Sequence, residues 1–162
     1  MIEVMTNRPV ARDSPDHTAP RGTAHDNSTN LRFNEKLSAL FGGRAIGLLD
    51  LGCAGGGFVR SMLDDGHDSV GIEGSDYSAR LGRAEWRSIP GRLFTADVTQ
   101  PFEVLKDKRP MTFDIITAWE LIEHLKEESL PAFCGNVLKH LGKDGLFIAS
   151  ISAIPDEQWH QT

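Results

Sequence analysis

Cysteine, basic charge and long apolar runs are all scarce in this sequence of 162 residues. The two cysteines, Cys53 and Cys134, are too few and too differently placed for a disulfide framework or a zinc site, and they fit a reducing, cytoplasmic compartment. A formal net charge of -6 disfavours sequence-independent binding to duplex nucleic acid, although specific contact with an RNA end stays open. No run approaches the roughly 18 apolar residues of a membrane span, and no secretion signal is recognisable, so neither membrane anchoring nor secretion is expected.

The length and the 40% hydrophobic composition suit one compact domain. The segment from Met1 to Asn30 is rich in Pro, Thr, Asp, Asn and Arg and nearly lacks large apolar side chains after Met5. Because it cannot bury enough surface to offset its ordering entropy, we expect a disordered or loosely attached arm. Residues 31–162 are expected to form the folded domain, which begins with a helix from Leu31 that ends at Gly42 and Gly43.

A short apolar run followed by a cluster of small residues organises the rest of the chain. The run Leu48-Leu49-Asp50-Leu51 predicts a buried strand. The cluster from Gly52 to Gly57 predicts a tight turn in which the backbone can take positive φ and approach a ligand. Apolar residues recur at helical spacing from Phe58 to Leu63, so the turn leads into a helix. In a parallel α/β sheet, the crevice at the carboxyl end of the first strand binds a nucleotide-like ligand.

The segment from Asp50 to Phe58 resembles the first motif of the class I S-adenosylmethionine-dependent methyltransferases, which runs acidic-x-Gly-x-Gly-x-Gly. Ala54 stands where the family usually has its middle glycine, and its extra methyl group is accommodated if φ there is negative. Nicotinamide and flavin enzymes also use a glycine-rich loop, to bind a pyrophosphate. The carboxylate of Asp50 disfavours that alternative, because it would repel a pyrophosphate but not the cationic methionine end of S-adenosylmethionine.

Two more carboxylates follow predicted strands. Glu73 ends the second strand, 21 positions after Gly52, where an acidic residue binds the two hydroxyls of a ribose. Asp97 follows the third strand, and the resemblance implies that it accepts from the adenine amine while the neighbouring N–H contacts a ring nitrogen. Asp76 is expected to cap a helix that continues through Trp86.

The second half of the chain predicts two further strands. A short helix or loop over Pro101–Asp107 is followed by a fourth strand over Phe113–Ala118, and its carboxyl end opens on the same crevice. The phrase from Trp119 to Leu125, W-E-L-I-E-H-L, resembles the fourth-strand signature of small-molecule methyltransferases, including those of quinone biosynthesis. The Asn-Pro-Pro-Tyr motif of amino-group methylases that act on adenine or glutamine is absent, so those substrates are disfavoured. A helix over Glu127–Leu141 and a fifth strand over Leu146–Ile151 complete the pattern.

Two interpretations of Glu120, Glu123 and His124 stay open. In the first, Glu120 lines the cofactor pocket through its backbone, while Glu123 and His124 hydrogen-bond within the loop. In the second, the three side chains bind magnesium or manganese, as in the small-RNA 3′-end 2′-O-methyltransferases and some quinone O-methyltransferases, with His160 as a loose further match. A hydroxyl acceptor would need a general base, and His124 is the pocket histidine that we nominate for that catalytic role.

The sequence therefore predicts an α/β fold, a Rossmann-like three-layer sandwich with a mostly parallel sheet. A complete family member adds two C-terminal strands, so the domain is expected to be truncated after its fifth strand or to lack those strands in nature. The resemblance implies methyl transfer from S-adenosyl-L-methionine to a small-molecule acceptor, at oxygen, with S-adenosyl-L-homocysteine as product and magnesium or manganese as an optional cofactor. A metal-dependent RNA 2′-O-methyltransferase and a catalytically silent S-adenosylmethionine-binding module are the alternatives. The residues expected to bind the cofactor are Asp50, Gly52, Cys53, Ala54, Gly55, Gly56, Phe58, Glu73, Gly74, Ser75, Asp97, Val98, Trp119, Glu120 and Leu121.

Overall fold

Two β-sheets and four α-helices make up residues 1–14 and 27–152, which are the part of the chain that the computed structural model describes. The strands are β1 (Ile2–Thr6), β2 (Gly47–Leu51), β3 (Asp68–Glu73), β4 (Leu93–Thr95), β5 (Phe102–Lys106), β6 (Arg109–Pro110), β7 (Phe113–Trp119) and β8 (Leu141–Ser150). The helices are α1 (Leu31–Leu40), α2 (Gly57–Asp64), α3 (Tyr77–Leu81) and α4 (Leu130–His140). Among these described helices, none has the length and apolar character needed to cross a membrane.

The larger sheet has the strand order β4-β3-β2-β7-β8, and every neighbouring pair is parallel. Its central strands are almost continuously apolar, as expected for parallel strands covered by helices, and Leu49, Ile72 and Ile116 are fully buried in its core. The chain proceeds from β2 outward to β4 on one side and from β7 to β8 on the other. The resulting switch point between β2 and β7 is where open α/β sheets bind ligands. The predicted fold class is confirmed.

The helix predicted from Leu31 is present as α1. It begins where the side chain of Asn30 accepts a hydrogen bond from the N–H of Phe33 at 3.1 Å, and the chain turns away at Gly42, which has a φ of 62°. The ring of Phe33 contacts Phe58 of α2 and Trp119 of β7, with centroid distances of 5.9 and 4.9 Å. Helix α1 therefore packs against the sheet beside the carboxyl ends of β2 and β7.

The first residues of the chain form a strand, so the expected disordered arm over Met1–Asn30 is wrong for residues 1–14. Strand β1 pairs antiparallel with β5 along its whole length, and β6 completes a three-stranded sheet. Ile2 and Val4 pack against the main core. The partner strand β5 also replaces the helix or loop expected over Pro101–Asp107. Local composition could not reveal either strand, because each is stabilised by a segment about 100 residues away in the sequence. Residues 15–26 of the expected arm lie outside the described part.

The helix after β3 is shorter than predicted. It was expected to continue through Trp86, but α3 ends at Leu81, where Gly82 adopts a φ of 56°, and a separate 3₁₀ turn follows at Ala84–Trp86. Asp76 occupies the N-cap position without a side-chain cap hydrogen bond. The hydroxyl of Ser75 instead accepts from the N–H of Tyr77 at 3.2 Å.

His140 ends α4 as a buried residue and not as the exposed cation that a helix C-terminus would favour. Its Nε2 accepts a hydrogen bond from the N–H of Val104 at 3.2 Å, and its Nδ1 lies 2.8 Å from the carbonyl oxygen of Asn136, so Nδ1 carries the proton. Burial lowers the pKa of His140, and the neutral ring stacks on Phe102 with centroids 4.6 Å apart. The imidazole thereby fastens the end of α4 to β5.

Replacing His140 with Ala should lower the free energy of unfolding by about 2–4 kcal/mol, because the buried N–H of Val104 loses its acceptor and a cavity opens beside Phe102. The matched control is Leu138→Ala on the same helix, where the side chain is 73% exposed, and it should cost less than about 0.5 kcal/mol. Urea unfolding followed by circular dichroism measures both. Equal small losses in the two variants would contradict a structural role for the imidazole.

Candidate functional site

Three carboxylates lie along one edge of the parallel sheet, at the carboxyl ends of adjacent strands. Asp50 is near the end of β2, Glu73 is the last residue of β3, and Asp97 follows β4 by two positions. The ends of β3 and β4 are joined by the N–H of Ala96, which donates to the carbonyl of Glu73 at 3.1 Å. The three acidic residues are only 2%, 9% and 7% exposed. Burying three carboxylates this deeply is costly, so each requires a nearby hydrogen-bond donor or cation.

Asp50 has a partner on the neighbouring strand. Its Oδ1 accepts a hydrogen bond from the hydroxyl of Thr117 at 2.7 Å, and the two residues are in register across β2 and β7. Burial raises the pKa of Asp50 to about 7, the Thr117 hydrogen bond opposes that rise, and the negative charge of Glu73 adds to it. Near neutral pH, therefore, a cation close to Asp50 would favour its ionised form. Thr117 was not predicted as a site residue, although a hydroxyl within an apolar parallel strand was a usable signal.

Glu73 connects the glycine-rich loop to the turn after β3. Its Oε2 accepts from the N–H of Ala54 at 2.9 Å, and its Oε1 accepts from the N–H of Ser75 at 3.0 Å. A carboxylate oxygen can accept more than one hydrogen bond, and the two oxygens of Glu73 are the acceptors that this position offers to a ligand hydroxyl. The site thus presents a fixed pair of acceptors beside the loop.

The glycine-rich loop lies against β3 and β4. The N–H groups of Gly52 and Cys53 both donate to the carbonyl of Ile72, at 2.8 and 3.1 Å. Gly56 has a φ of 86°, and a Cβ built there would lie 2.4 Å from a methyl carbon of Leu93, so the position accepts no side chain. Helix α2 starts directly after it, and the N–H groups of its first turn point back at the loop.

Ala54 has a φ of 48°, so the condition of a negative φ, under which its methyl group would be accommodated, is not met. Both of its backbone groups are held, because its N–H donates to Glu73 and its carbonyl accepts from the indole N–H of Trp86 at 3.0 Å. The left-handed conformation costs an L residue roughly 1–2 kcal/mol, and these two hydrogen bonds offset that cost. The adjacent residue Gly55 is also held, because its carbonyl accepts a hydrogen bond from the N–H of Glu85 at 3.0 Å. The bonds from Trp86 and Glu85 attach the loop to the 3₁₀ turn at Ala84–Trp86.

Several residues predicted to bind the cofactor direct their side chains into the core. Cys53 lies under the loop, where a Cβ on Gly71 would come within 2.7 Å of its sulfur, and burial raises the pKa of the Cys53 thiol. Phe58 and Val98 are also core residues. Leu121 lies against the loop, since a Cβ on Gly52 would be 3.2 Å from its side chain. Only the backbone of Cys53, Phe58 and Val98 is therefore suited to face a ligand.

Asp97 is hydrogen-bonded on both its side chain and its backbone. Its Oδ1 accepts from the N–H and from the hydroxyl of Thr99, at 2.9 and 2.6 Å. Its own N–H donates to the carbonyl of Arg8 at 2.9 Å. No local pattern in the sequence indicated that the N-terminal segment reaches this edge of the sheet.

The loop after β7 is tied to the end of β8. Glu120 has a φ of 47°, and its N–H lies 3.1 Å from both the carbonyl and the hydroxyl oxygen of Ser150. The Oε1 of Glu123 accepts from the N–H of Ser152 at 2.8 Å, so its hydrogen bond reaches the residues after β8 and does not lie within the loop. His124 is half-buried in the 3₁₀ turn at Ile122–His124. Within residues 1–14 and 27–152, no three His, Cys, Asp or Glu side chains are grouped to hold a metal ion, and His160 lies outside that part.

Comparison with known sequences identifies the family. A profile of the family described as Methyltransferase domain matches residues 24–162. The chain therefore belongs to this family, and its parallel sheet has the fold of a class I methyltransferase domain. The cofactor of this class is S-adenosyl-L-methionine, so the predictions of family and cofactor are confirmed.

The matches to individual relatives cover only part of each relative's length. The ubiquinone biosynthesis O-methyltransferase of Methylococcus capsulatus is 31% identical over 114 residues, which are 70% of this chain and 46% of that protein. The enzyme of the same name from Hahella chejuensis is 32% identical over 130 residues, 80% of this chain and 52% of that protein. The chain thus spans about half the length of the curated relatives that it matches.

Solved structures share the fold at lower identity. The amino pentose methyltransferase CalS10 from Micromonospora echinaspora, with S-adenosylmethionine bound, superposes with a TM-score of 0.57 at 22% identity, over 77% of this chain and 50% of that one. The N-methyltransferase NodS from Bradyrhizobium japonicum gives 0.54 at 19% identity, over 80% and 68%. Likenesses at these identities show the fold alone.

Replacing Ala54 with Gly should raise the free energy of unfolding by about 1 kcal/mol, because glycine adopts positive φ without a steric penalty. The matched control is Ala132→Gly, an exposed position in the first turns of α4, where the same change should cost about 0.5–1 kcal/mol. Denaturant unfolding of both variants measures the two changes in unfolding free energy, which should have opposite signs. A loss at Ala54 as large as that at Ala132 would contradict the left-handed conformation.

Proposed function

We propose that this chain transfers the methyl group of S-adenosyl-L-methionine to an oxygen atom of a small-molecule acceptor. The observation that carries the proposal is the ordered series of buried carboxylates, Asp50, Glu73 and Asp97, at the carboxyl ends of neighbouring strands around one glycine-rich loop. Support for oxygen as the acceptor atom comes from the relatives above 30% identity, which are O-methyltransferases by name. We also propose a cytoplasmic location, which is consistent with the free thiols of Cys53 and Cys134.

The chemistry of the crevice fits this cofactor, because its side chains supply acceptors and negative charge where the ligand carries donors and positive charge. Asp50 would hold the cationic methionine end, Glu73 the two ribose hydroxyls and Asp97 the adenine amine. Gly52 and Gly56 have positive φ and pack closely against Leu121 and Leu93, so they fix the shape of the loop. The remaining predicted residues would add main-chain contacts and the apolar walls of the crevice.

When bound, the cofactor supplies a methyl group on a positively charged sulfur atom. The main contribution of the protein is to hold the acceptor in line with it, which can account for about 7–11 kcal/mol of the barrier. We assign His124 as the general base that takes the proton of the acceptor hydroxyl. Its loop is held in place by the hydrogen bonds from Ser152 to Glu123 and from Glu120 to Ser150, beside the carboxyl end of β7.

The affinity for S-adenosyl-L-homocysteine should rise about five- to tenfold between pH 6 and pH 8, because Asp50, with a pKa of about 7, must ionise to pair with the ligand's ammonium group. Asp50→Asn should bind more weakly by about 1.5–3 kcal/mol and should show a flat pH profile. The control is Asp64→Asn, an exposed carboxylate on α2, which should keep wild-type affinity and profile. Calorimetric titration measures all three chains, and a flat wild-type profile would refute the role of Asp50.

The same variant has an opposite effect on the ligand-free chain. A raised pKa means that the contribution of Asp50 to stability is fully present below its unfolded pKa, near 4, and is lost as the pH rises through about 7. The stability of Asp50→Asn minus that of the wild type should therefore be larger at pH 8 than at pH 5. Unfolding of both chains at the two pH values separates this effect from a general loss of structure.

Transfer of an isotope-labelled methyl group to two acceptors, a catechol and an amino sugar, tests the acceptor atom. We expect label on the catechol oxygen. In the same assay, His124→Gln should lower kcat about 10²- to 10⁴-fold, and its affinity for S-adenosyl-L-homocysteine should not change. Lys126→Gln, at an exposed position in the same loop, is the control and should keep full activity. Label on the amine would overturn the assignment to oxygen. Cofactor binding without transfer to either probe would favour the silent binding module.

A further inference from the structure

The N-terminal segment crosses the carboxyl ends of β3 and β4. We call residues Arg8–Ala11 the strap. At one end the carbonyl of Arg8 accepts from the N–H of Asp97 at 2.9 Å, and at the other the N–H of Ala11 donates to the carbonyl of Gly74 at 2.8 Å. A Cβ on Gly74 would lie 3.1 Å from the Cβ of Ala11, so the strap is in close contact with the turn after β3.

The strap is anchored on both sides. Before it, β1 is paired with β5, and the hydroxyl of Thr6 accepts from the N–H of Arg8 at 3.0 Å. After it, the chain turns, because the N–H of Arg12 donates to the carbonyl of Val10 at 2.9 Å and the N–H of Ser14 donates to that of Ala11 at 3.0 Å. These anchors hold the strap over the crevice without a helix or a strand of its own.

A second part of the N-terminal region contacts the glycine-rich loop. A Cβ built on Gly57 would be 2.2 Å from the carbonyl oxygen of Asn27, so that carbonyl lies directly against the start of α2. The side-chain amide of Asn27 also donates to Glu85 at 3.2 Å. Residues before the first helix of the domain therefore reach both the loop side and the β4 side of the crevice.

We propose that the strap is an autoinhibitory contact, which covers the nucleoside half of the crevice in the free chain and leaves it when the cofactor binds. The inference rests on the proposed function. The carbonyl of Arg8 lies 2.9 Å from the amide nitrogen of Asp97 and Ala11 lies against Gly74, so main-chain atoms of the strap occupy the space beside two positions assigned to the nucleoside. Glu73 and Asp97, which are to receive the ribose and the adenine amine, are 9% and 7% exposed beneath this region. Only the fraction of chains with the strap displaced binds, which reduces the apparent affinity by that fraction.

Ala11→Pro tests the proposal, because proline removes the N–H that donates to Gly74, and Ala11→Ser is the control that keeps it. Calorimetric titration with S-adenosyl-L-homocysteine should show about fivefold tighter binding by Ala11→Pro, corresponding to one lost main-chain hydrogen bond, and wild-type affinity for Ala11→Ser. Equal or weaker binding by the folded Ala11→Pro variant would overturn the strap, since the segment would then be neutral or part of the cofactor pocket. Failure of both folded chains to bind would instead refute the proposed cofactor site, and the strap with it.

Hydrogen exchange in the wild-type chain provides a second test that needs no variant. In the free chain the amide of Ala11 should be protected by its bond to Gly74, and adding S-adenosyl-L-homocysteine should speed its exchange. Slower exchange of that amide in the complex would show that the strap closes on the ligand, and the autoinhibitory proposal would be overturned.

Discussion

The carboxylate of Glu73 is the interaction on which the geometry of the site depends. It joins Ala54 in the glycine-rich loop to Ser75 in the turn after β3, at 2.9 and 3.0 Å, and both contacts are to backbone N–H groups. Charge-assisted hydrogen bonds of this kind are about twice as strong as neutral ones. They compensate for the burial of Glu73 and for the left-handed backbone of Ala54, and so they fix the shape of the loop around which the other groups are arranged.

The site concentrates three buried carboxylates, Asp50, Glu73 and Asp97, along one edge of the sheet. Asp50 receives one hydroxyl hydrogen bond, from Thr117, and its pKa is raised partly because the charge of Glu73 is close. Such an arrangement is a cost to the stability of the free chain, and a ligand with a positively charged end would relieve it. Strain and uncompensated polarity of this kind are typical of functional sites, where stability is exchanged for binding.

The parts of the structure that could be predicted are those that depend on residues close together in the sequence. Apolar runs that end in a carboxylate located β2 and β3, and the spacing from Gly52 to Glu73 located the two sides of the crevice. The left-handed Ala54 and the neutral His140 were beyond sequence reasoning, because each is determined by partners distant in the chain, such as Glu73 and Val104. Strand β1 was missed for the same reason, since few apolar residues are needed when a distant strand provides the other half of the ladder.

The pairing of β1 with β5 also determines an order in time. Strand β1 is made first, but its partner is synthesised about 100 residues later, at a rate of about 5–20 residues per second. By then the chain already contains β2, β3 and β4, together with the glycine-rich loop between them. The strap at Arg8–Ala11 follows β1 directly, so the pairing that anchors it on that side is absent until β5 has been made. A nascent chain therefore cannot hold the strap in its final place before that point.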